Sequence, residues 1–310
     1  MCYTIFILLN LYQSEVMTLE DYYIIPPLSV LDVKQKRWKD RRKEWLKLGI
    51  QSELGREDNL LGLSELMSKK QNRTSIFDPV LCEIMYTWFT KAEDTILDPF
   101  AGGSVRGIVA SQLKRNYTGL DLSEKQLEHN RQQAQDLCQS HVPTWIHDNA
   151  MNIHKLKKTY NFLFSCPPYY NLEVYSDSKE DLSAMKSYGE FRYFYETIIF
   201  RASKRLEENS FAVFVVGEVR ENGNYVGLAS DTVRAFENAG LKFYNEMILL
   251  QEPATAAMRA NRFMNASRKI AKCHQNVLMF VKGDPVKATE RLGPVAIEKQ
   301  NFLLDIFESV

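Results

Sequence analysis

The chain has 310 residues, enough for one large domain or for one domain with appendages. Its 39 Lys and Arg balance 39 Asp and Glu, so no global positive field draws it to nucleic acid, and any polyanion contact must come from local patches. Cys2, Cys82, Cys138, Cys166 and Cys273 form no paired spacing, which argues against a disulfide framework or a cysteine metal site and fits a reducing compartment.

Residues 1–12, MCYTIFILLNLY, are apolar but lack a basic leader and a small-residue cleavage site. The run is also too short to span a bilayer. Met17 opens a more ordinary start, so residues 1–16 are expected to be an upstream extension. Residues 18–30 look extended around Pro26-Pro27. From Val33 to Leu48, Trp38, Trp45 and Leu48 recur near helical spacing. This stretch is expected to be an amphipathic helix packed by its tryptophans. The alternative lays Lys36, Arg37, Lys39, Arg41, Arg42 and Lys43 against phosphates. Residues 51–75 read as a polar link.

A helix is expected over 79–90, with Asp78 as its N-cap and Pro79 in its first turn. Strands follow at 95–97, 117–122, 144–148, 162–164, 211–216, 241–250 and 276–283. Helices are expected at 105–115, 123–137, 189–206 and 229–239. Alternating strands and helices mean a mainly parallel sheet covered on both faces. Residues 254–273 carry Arg259, Arg262, Arg268, Lys269 and Lys272 with no acid, an insertion suited either to phosphate contacts or to a solvated loop. Residues 172–187 read as a lid or base-reading loop, and 286–310 as a tail.

Two stretches carry chemistry. The first is Asp98-Pro99-Phe100-Ala101-Gly102-Gly103-Ser104, between a strand and a helix. Its glycines let backbone approach a ligand closely. Asp121 ends the next strand, 23 positions on, where an acid is placed to bond ribose hydroxyls. Asp148 ends the third strand and could accept from an adenine amino group. An acid at the turn repels a pyrophosphate and favours a cationic cofactor with a nucleoside, such as one bearing an ammonium and a sulfonium. The second stretch is Ser165-Cys166-Pro167-Pro168-Tyr169. Two prolines end the strand, leaving carbonyl acceptors and a ring. Such a rim suits a flat guest with an amino group, such as a nucleobase.

Asp98–Ser104 followed by Cys166–Tyr169 resembles the amino-group DNA methyltransferases, which modify adenine N6 or cytosine N4. Residues 75–81, SIFDPVL, resemble the extra cofactor motif of such enzymes, and WLKLGIQSELGRE, LEVYSDSKEDLS and HQNVLMFVKGDP resemble a phage and prophage group. The resemblance runs from about Asp32 to Pro285. It implies a class I methyltransferase, Rossmann-like α/β fold with a seven-stranded, mainly parallel sheet and an antiparallel last strand. It implies S-adenosylmethionine as cofactor, with Phe77, Asp98, Phe100 and Gly102 at the methionine end, Asp121 on the ribose and Asp148 on the adenine. Ala101, Gly103, Leu122 and Ser165 complete the expected cofactor set. Expected units are an N-terminal extension (1–31), a helical segment (32–75), the methyltransferase domain (76–285) and the tail (286–310).

By the same resemblance, a side chain at position 166 and the Pro167 carbonyl grip the amine, Pro168 stiffens the turn, and Tyr169 stacks on a base taken out of the duplex. Tyr170 and Tyr175 are further candidates for stacking or packing. The expected partner is double-stranded DNA, contacted by Arg259, Arg262, Arg268, Lys269, Arg41 and Arg42. No metal or membrane is expected, and the protein is expected as a monomer or homodimer in bacterial cytoplasm, in a restriction-modification or phage setting. Two departures stand out. Ser104 replaces a usual Gly, and Cys166 replaces the usual Asp, Asn or Ser; a thiol is a poor acceptor. Cys166 therefore opens alternatives: covalent C5-pyrimidine methylation, a non-catalytic DNA- or cofactor-binding module, or a methyltransferase for RNA or a protein amide.

Overall fold

A computed structural model describes residues 18–51, 77–170, 181–251 and 254–295, with the side chains of 254–256 excepted. The expectations for residues 1–16, for most of the 51–75 link, for Tyr175 and for the end of the tail fall outside that range. Helix α1 (Leu19–Tyr23), strand β1 (Val30–Asp32) and helix α2 (Lys36–Lys47) come first. Then α3 (Pro79–Phe89) precedes the alternation β2 (Thr95–Asp98), α4 (Val105–Gln112), β3 (Asn116–Asp121), α5 (Glu124–Leu137), β4 (Thr144–His147) and β5 (Tyr160–Ser165). Helix α6 (Tyr188–Arg205) and strand β6 (Leu206–Val216) follow, then a small hairpin, β7 (Arg220–Glu221) with β8 (Asn224–Tyr225). The chain continues through α7 (Leu228–Asn238), β9 (Lys242–Leu250), α8 (Ala254–Ser267), β10 (His274–Lys282) and α9 (Pro285–Leu292).

One sheet runs β1-β9-β10-β6-β5-β2-β3-β4. Strand β10 is antiparallel to both neighbours, and the other pairings in this sheet are parallel. This is the expected class I methyltransferase sheet with one strand added at its edge. The extra strand is β1, whose Val30, Leu31 and Asp32 pair with Ile248, Leu249 and Leu250. Residues 18–31, expected as an extension, thus contribute to the fold, and Ile24, Ile25 and Leu31 lie in the main core. The prolines at 26 and 27 follow α1 and cannot extend it.

Both sheet faces are covered, so central strands are apolar on both sides. Along β5, Phe162 and Phe164 enter one core, while Leu163 enters the other. Along β6, Phe211, Val213 and Val215 face the first core, and Ala212, Phe214 and Val216 the second. Continuous apolar runs such as FAVFVV thus fill two cores at once.

Helix α3 starts as expected: the Asp78 carboxylate accepts from the Val80 N–H at 2.9 Å, and Pro79 occupies the first turn. Helix α2 is anchored by buried Trp38 and Trp45, whose indole N–H groups donate to Asp78 (3.1 Å) and Glu83 (2.7 Å). Arg41 joins them, with its Nε 2.9 Å from a Glu83 carboxylate oxygen and an Nη donating to Glu44 at 2.8 Å. Glu83 is itself buried. Arg41 is therefore corrected from a phosphate contact to an internal clamp. Arg42 leans toward Asp78, 3.9 Å away.

Residues 285–292, expected as tail, form α9. Its Ala288 is buried, and Arg291 donates to Asp94 at 2.8 and 3.0 Å. Among the described residues no helix is long and apolar enough to cross a membrane.

Candidate active site

The ends of β2, β3, β4 and β5 meet at the carboxyl edge of the parallel strands, where α/β sheets bind ligands. The residues there form two layers. Asp98, Ala101, Ser104, Ser165 and Pro167 are buried. Above them Phe100, Gly102, Gly103, Asp121, Leu122, Asp148, Cys166, Pro168 and Tyr169 are half-buried.

Asp98 corrects one expectation. Its side chain has no exposure, so it does not meet a cationic cofactor directly. One carboxylate oxygen accepts from the Phe100 N–H (3.1 Å) and the Ser165 hydroxyl (2.5 Å). The other accepts from Arg106 Nε (2.5 Å) and the Tyr117 hydroxyl (2.6 Å). A carboxylate has about four acceptor positions, and these four bonds account for them. Arg106 also donates to the Phe100 and Ala101 carbonyls at 2.6 and 2.9 Å, and its guanidinium sits 4.5 Å from the Phe77 ring centroid. Burial alone would lower the Arg106 pKa, but the Asp98 charge and hydrogen bond, together with Tyr117 and Cys166, outweigh it and hold the guanidinium charged. Asp98 therefore ties four things together: the Phe100 turn, strand β3 through Tyr117, the end of β5 that leads into Cys166, and helix α4.

The turn above is fixed from the other side. Gly102 N–H donates to Asp121 at 2.8 Å, and Ser123 N–H to the same carboxylate at 2.9 Å. The Asn130 side chain donates to the Gly102 carbonyl at 2.7 Å, and Ser104 bonds Gln133 at 3.2 Å. Ser104 thus finds a buried partner on α5. Gly119 on β3 is a required glycine: a Cβ there would come within 2.7 Å of Ala101 Cβ. Asp148 accepts from Asn149 N–H (2.8 Å) and the Asn152 side chain (2.6 Å), which fixes it against the helical turn that Asn149 caps. Half-buried Asp121 and Asp148, on adjacent strand ends beside the glycine turn, suit ribose hydroxyls and an adenine amino group. The chemistry of this residue set fits the expected cofactor.

The Cys166–Tyr169 rim lies beside this turn through the Ser165–Asp98 bond. The Cys166 side chain packs at the margin of the main core, with its Sγ 3.7 Å from the Tyr169 hydroxyl. Tyr169 lies against Gly217, just past β6, where an added Cβ would come within 2.8 Å of the ring. Its hydroxyl accepts from the Gln275 side chain at 2.6 Å. Burial, reinforced by the nearby Cys166 sulfur, pushes the Tyr169 phenol well above its ordinary pKa. Tyr170 is buried among Tyr188 and Phe191 and donates to Glu221 at 3.0 Å, so it packs.

The insertion at 254–273 is a helix for most of its length rather than a loop. Helix α8 runs between the end of β9 and the start of β10. Met258, Arg259 and Arg262 are exposed, and both arginines flank the Phe263 ring at 5.9 and 5.7 Å. Arg268 is exposed with φ 54°, and Lys269 lies against the Gly223 turn of the hairpin. Strand β9 runs parallel to β6, so α8 departs from the same sheet edge that carries the candidate site.

Arg106, Tyr117, Gly217 and Gln275 escaped the reading of the sequence. Arg106 left one signal, a lone charge in the otherwise apolar run VRGIVA. Gln275 left none.

The sheet order and the strand-end site define a class I methyltransferase fold. Within that class, residues 31–132 match the model of the N6_N4_Mtase family, described as DNA methylase. The matched stretch contains the Asp98 turn and Asp121, which bears out the resemblance to amino-group methylases; the Cys166 rim lies beyond it. No curated protein matches the chain. Solved structures similar to it include magnesium protoporphyrin IX methyltransferase from Synechocystis PCC 6803 with bound SAM, at 11% identity and TM-score 0.45, covering 78% of this chain and 90% of that one. A methyltransferase from Pyrococcus furiosus matches at 13% identity and TM-score 0.45, covering 67% and 84%. TrmN from Thermus thermophilus matches at 12% identity and TM-score 0.43, covering 66% of this chain and only 49% of TrmN, so the match spans about half of that protein.

Proposed function

We propose that this protein is a DNA methyltransferase acting on the exocyclic amine of a flipped base, adenine N6 or cytosine N4. The observation that carries the reading is the bond from Ser165 to Asp98, which joins the acceptor rim to the Gly turn of the expected cofactor site. When bound, S-adenosylmethionine would supply an electrophilic methyl group, which the amine nitrogen would take as the carbon–sulfur electron pair returned to sulfur and the amine proton passed to solvent water. Asp121 and Asp148 would hold the nucleoside end, Phe77 and Phe100 would flank the methionine end, and Gly102 and Gly103 would allow close approach.

The Pro167 carbonyl accepts from the amine and orients its lone pair, while Tyr169 carries the base on the ring face away from Gly217. Placement and oriented acceptors supply most of the catalysis. The enzyme works on duplex DNA in a bacterial cell, as a monomer or homodimer, beside a restriction activity or in a phage. Labelled S-adenosylmethionine offered with DNA, RNA and protein acceptors tests the reading. Label is expected in DNA; label only in RNA or protein, or none anywhere, contradicts it.

Packing of Cys166 at the core margin supports a small apolar strand-end residue rather than a nucleophile. Cys166→Ser is therefore expected to keep methyl transfer within about threefold of the parent, because no covalent bond to C6 is needed. A complete loss with fold and cofactor binding intact would favour the covalent C5 route instead.

Helix α8 supplies a local positive patch on a chain with no net charge. Replacing Arg259 and Arg262 by Ala is expected to weaken DNA binding and to reduce the salt slope of log K by roughly 1–2, one phosphate contact per arginine. An unchanged slope would remove α8 from the DNA interface.

A further inference from the structure

The side-chain amide of Gln275 bridges two elements. It donates to the Tyr169 hydroxyl at 2.6 Å and bonds Gln251 at 3.0 Å. Gln275 stands on β10, paired with Leu249 of β9, and Gln251 is tied to the same strand pair through its N–H bond to the Cys273 carbonyl at 2.9 Å. Both supports are therefore sheet backbone. Tyr169 belongs to an irregular turn after β5, where prolines remove backbone donors. Gly217 supports one face of its ring and Gln275 holds its outer end. A phenol ring fixed at its face and at its hydroxyl loses both rotation and tilt.

We infer that Gln275 is a positioning residue that locks the Tyr169 ring as a base-stacking platform. This rests on the proposed methyl transfer to a flipped base. Gln275 touches neither cofactor nor base in this account; it acts through Tyr169. The tether also joins the platform to the DNA-facing insertion, because α8 and the 268–273 stretch lead directly into β10.

The test uses the full chain and four variants: Gln275→Leu, Gln275→Glu, Tyr169→Phe and the double Tyr169→Phe/Gln275→Leu. Gln275→Leu is expected to lower kcat about tenfold with the KM for S-adenosylmethionine unchanged, since displacements near 1 Å carry penalties of that order or larger. Tyr169→Phe, which keeps the ring and loses the hydroxyl, is expected to match it, and the double variant to be no slower than either single one. Gln275→Glu, which can accept from the phenol in place of donating to it, is expected to restore most of the rate. Fluorotyrosine incorporation gives a readout free of turnover: the fluorine resonance of Tyr169, assigned by its loss in Tyr169→Phe, is expected to move in Gln275→Leu. An unmoved resonance, losses that multiply in the double variant, or Gln275→Glu falling as far as Gln275→Leu would overturn the positioning role. A parent enzyme that methylates no DNA while the resonance still moves would instead sink the proposed function and leave the tether in place.

Discussion

Asp98→Asn is expected to destabilise the protein by about 3–5 kcal/mol, because it leaves Arg106 as an uncompensated buried charge. The wild-type pair is fully enclosed: Asp98 has no exposure and Arg106 is 5% exposed. Asn keeps the size of the side chain and can still accept from Tyr117 or Ser165, so packing changes little and the loss reports the charge. At a few degrees per kcal/mol the melting temperature should fall by roughly 10 °C. Arg106→Met should cost a comparable amount, since it strands the carboxylate. The double variant, Asp98→Asn with Arg106→Met, should recover much of the stability, because no buried charge remains. It should not recover cofactor binding. The Phe100 and Ala101 carbonyls lose the guanidinium that holds them, and the turn loses its shape. Calorimetric melting with titration of S-adenosylmethionine separates the two effects. A melting temperature for Asp98→Asn within about 1 °C of the parent would show that Asp98 is not the knot described above.

Tyr169→Ala is expected to slow methyl transfer by roughly ten- to a hundredfold at saturating S-adenosylmethionine, the range that one base–aromatic stack of about 1–3 kcal/mol allows. Cofactor affinity should stay at the parent value, because Tyr169 belongs to the rim and not to the Gly turn. Removing the ring also uncovers Gly217 and frees Gln275, so the loss should exceed that of Tyr169→Phe. The phenol is held well above its ordinary pKa by burial and the Cys166 sulfur, so it remains protonated across the working range. No fall in rate should be traceable to its ionisation up to about pH 10, the usual phenol value. A Tyr169→Ala enzyme that methylates DNA at the parent rate would rule out the stacking role.

Much of this was legible in the sequence, for identifiable reasons. Runs such as FLF at 162–164 and FAVFVV at 211–216 are apolar throughout, short and rich in β-branched or aromatic residues, which marks a strand between two cores. Asp78-Pro79 marked a helix start because cap and ring act locally. The Gly turn and the Pro-Pro turn were visible because glycine and proline constrain backbone wherever they stand. What stayed hidden was either short or long-range. Strand β1 has three residues, too few to show a period. Helix α8 has no clear apolar stripe to announce it, and its basic residues read equally as a loop.

Asp98 was recognisable as an acid at a turn, but its role depends on Arg106 across the turn and on Tyr117 and Ser165 from two other strands. Its charge therefore looked available to a cofactor when it was already neutralised. Arg41 misled in the same way: in a basic run it suggests phosphate, and only Glu83, 42 residues away, makes it internal. Gln275 reaches Tyr169 over 106 residues, and nothing local to either foretells the contact.

The identity of the methylated product decides whether this protein is an amino-group DNA methyltransferase. Duplex DNA treated with the 310-residue protein and S-adenosylmethionine is digested to nucleosides and analysed by mass spectrometry with chromatographic standards. N6-methyldeoxyadenosine or N4-methyldeoxycytidine is the expected product. Recovery of 5-methyldeoxycytidine, or of no methylated deoxynucleoside from DNA that the protein binds, would contradict it.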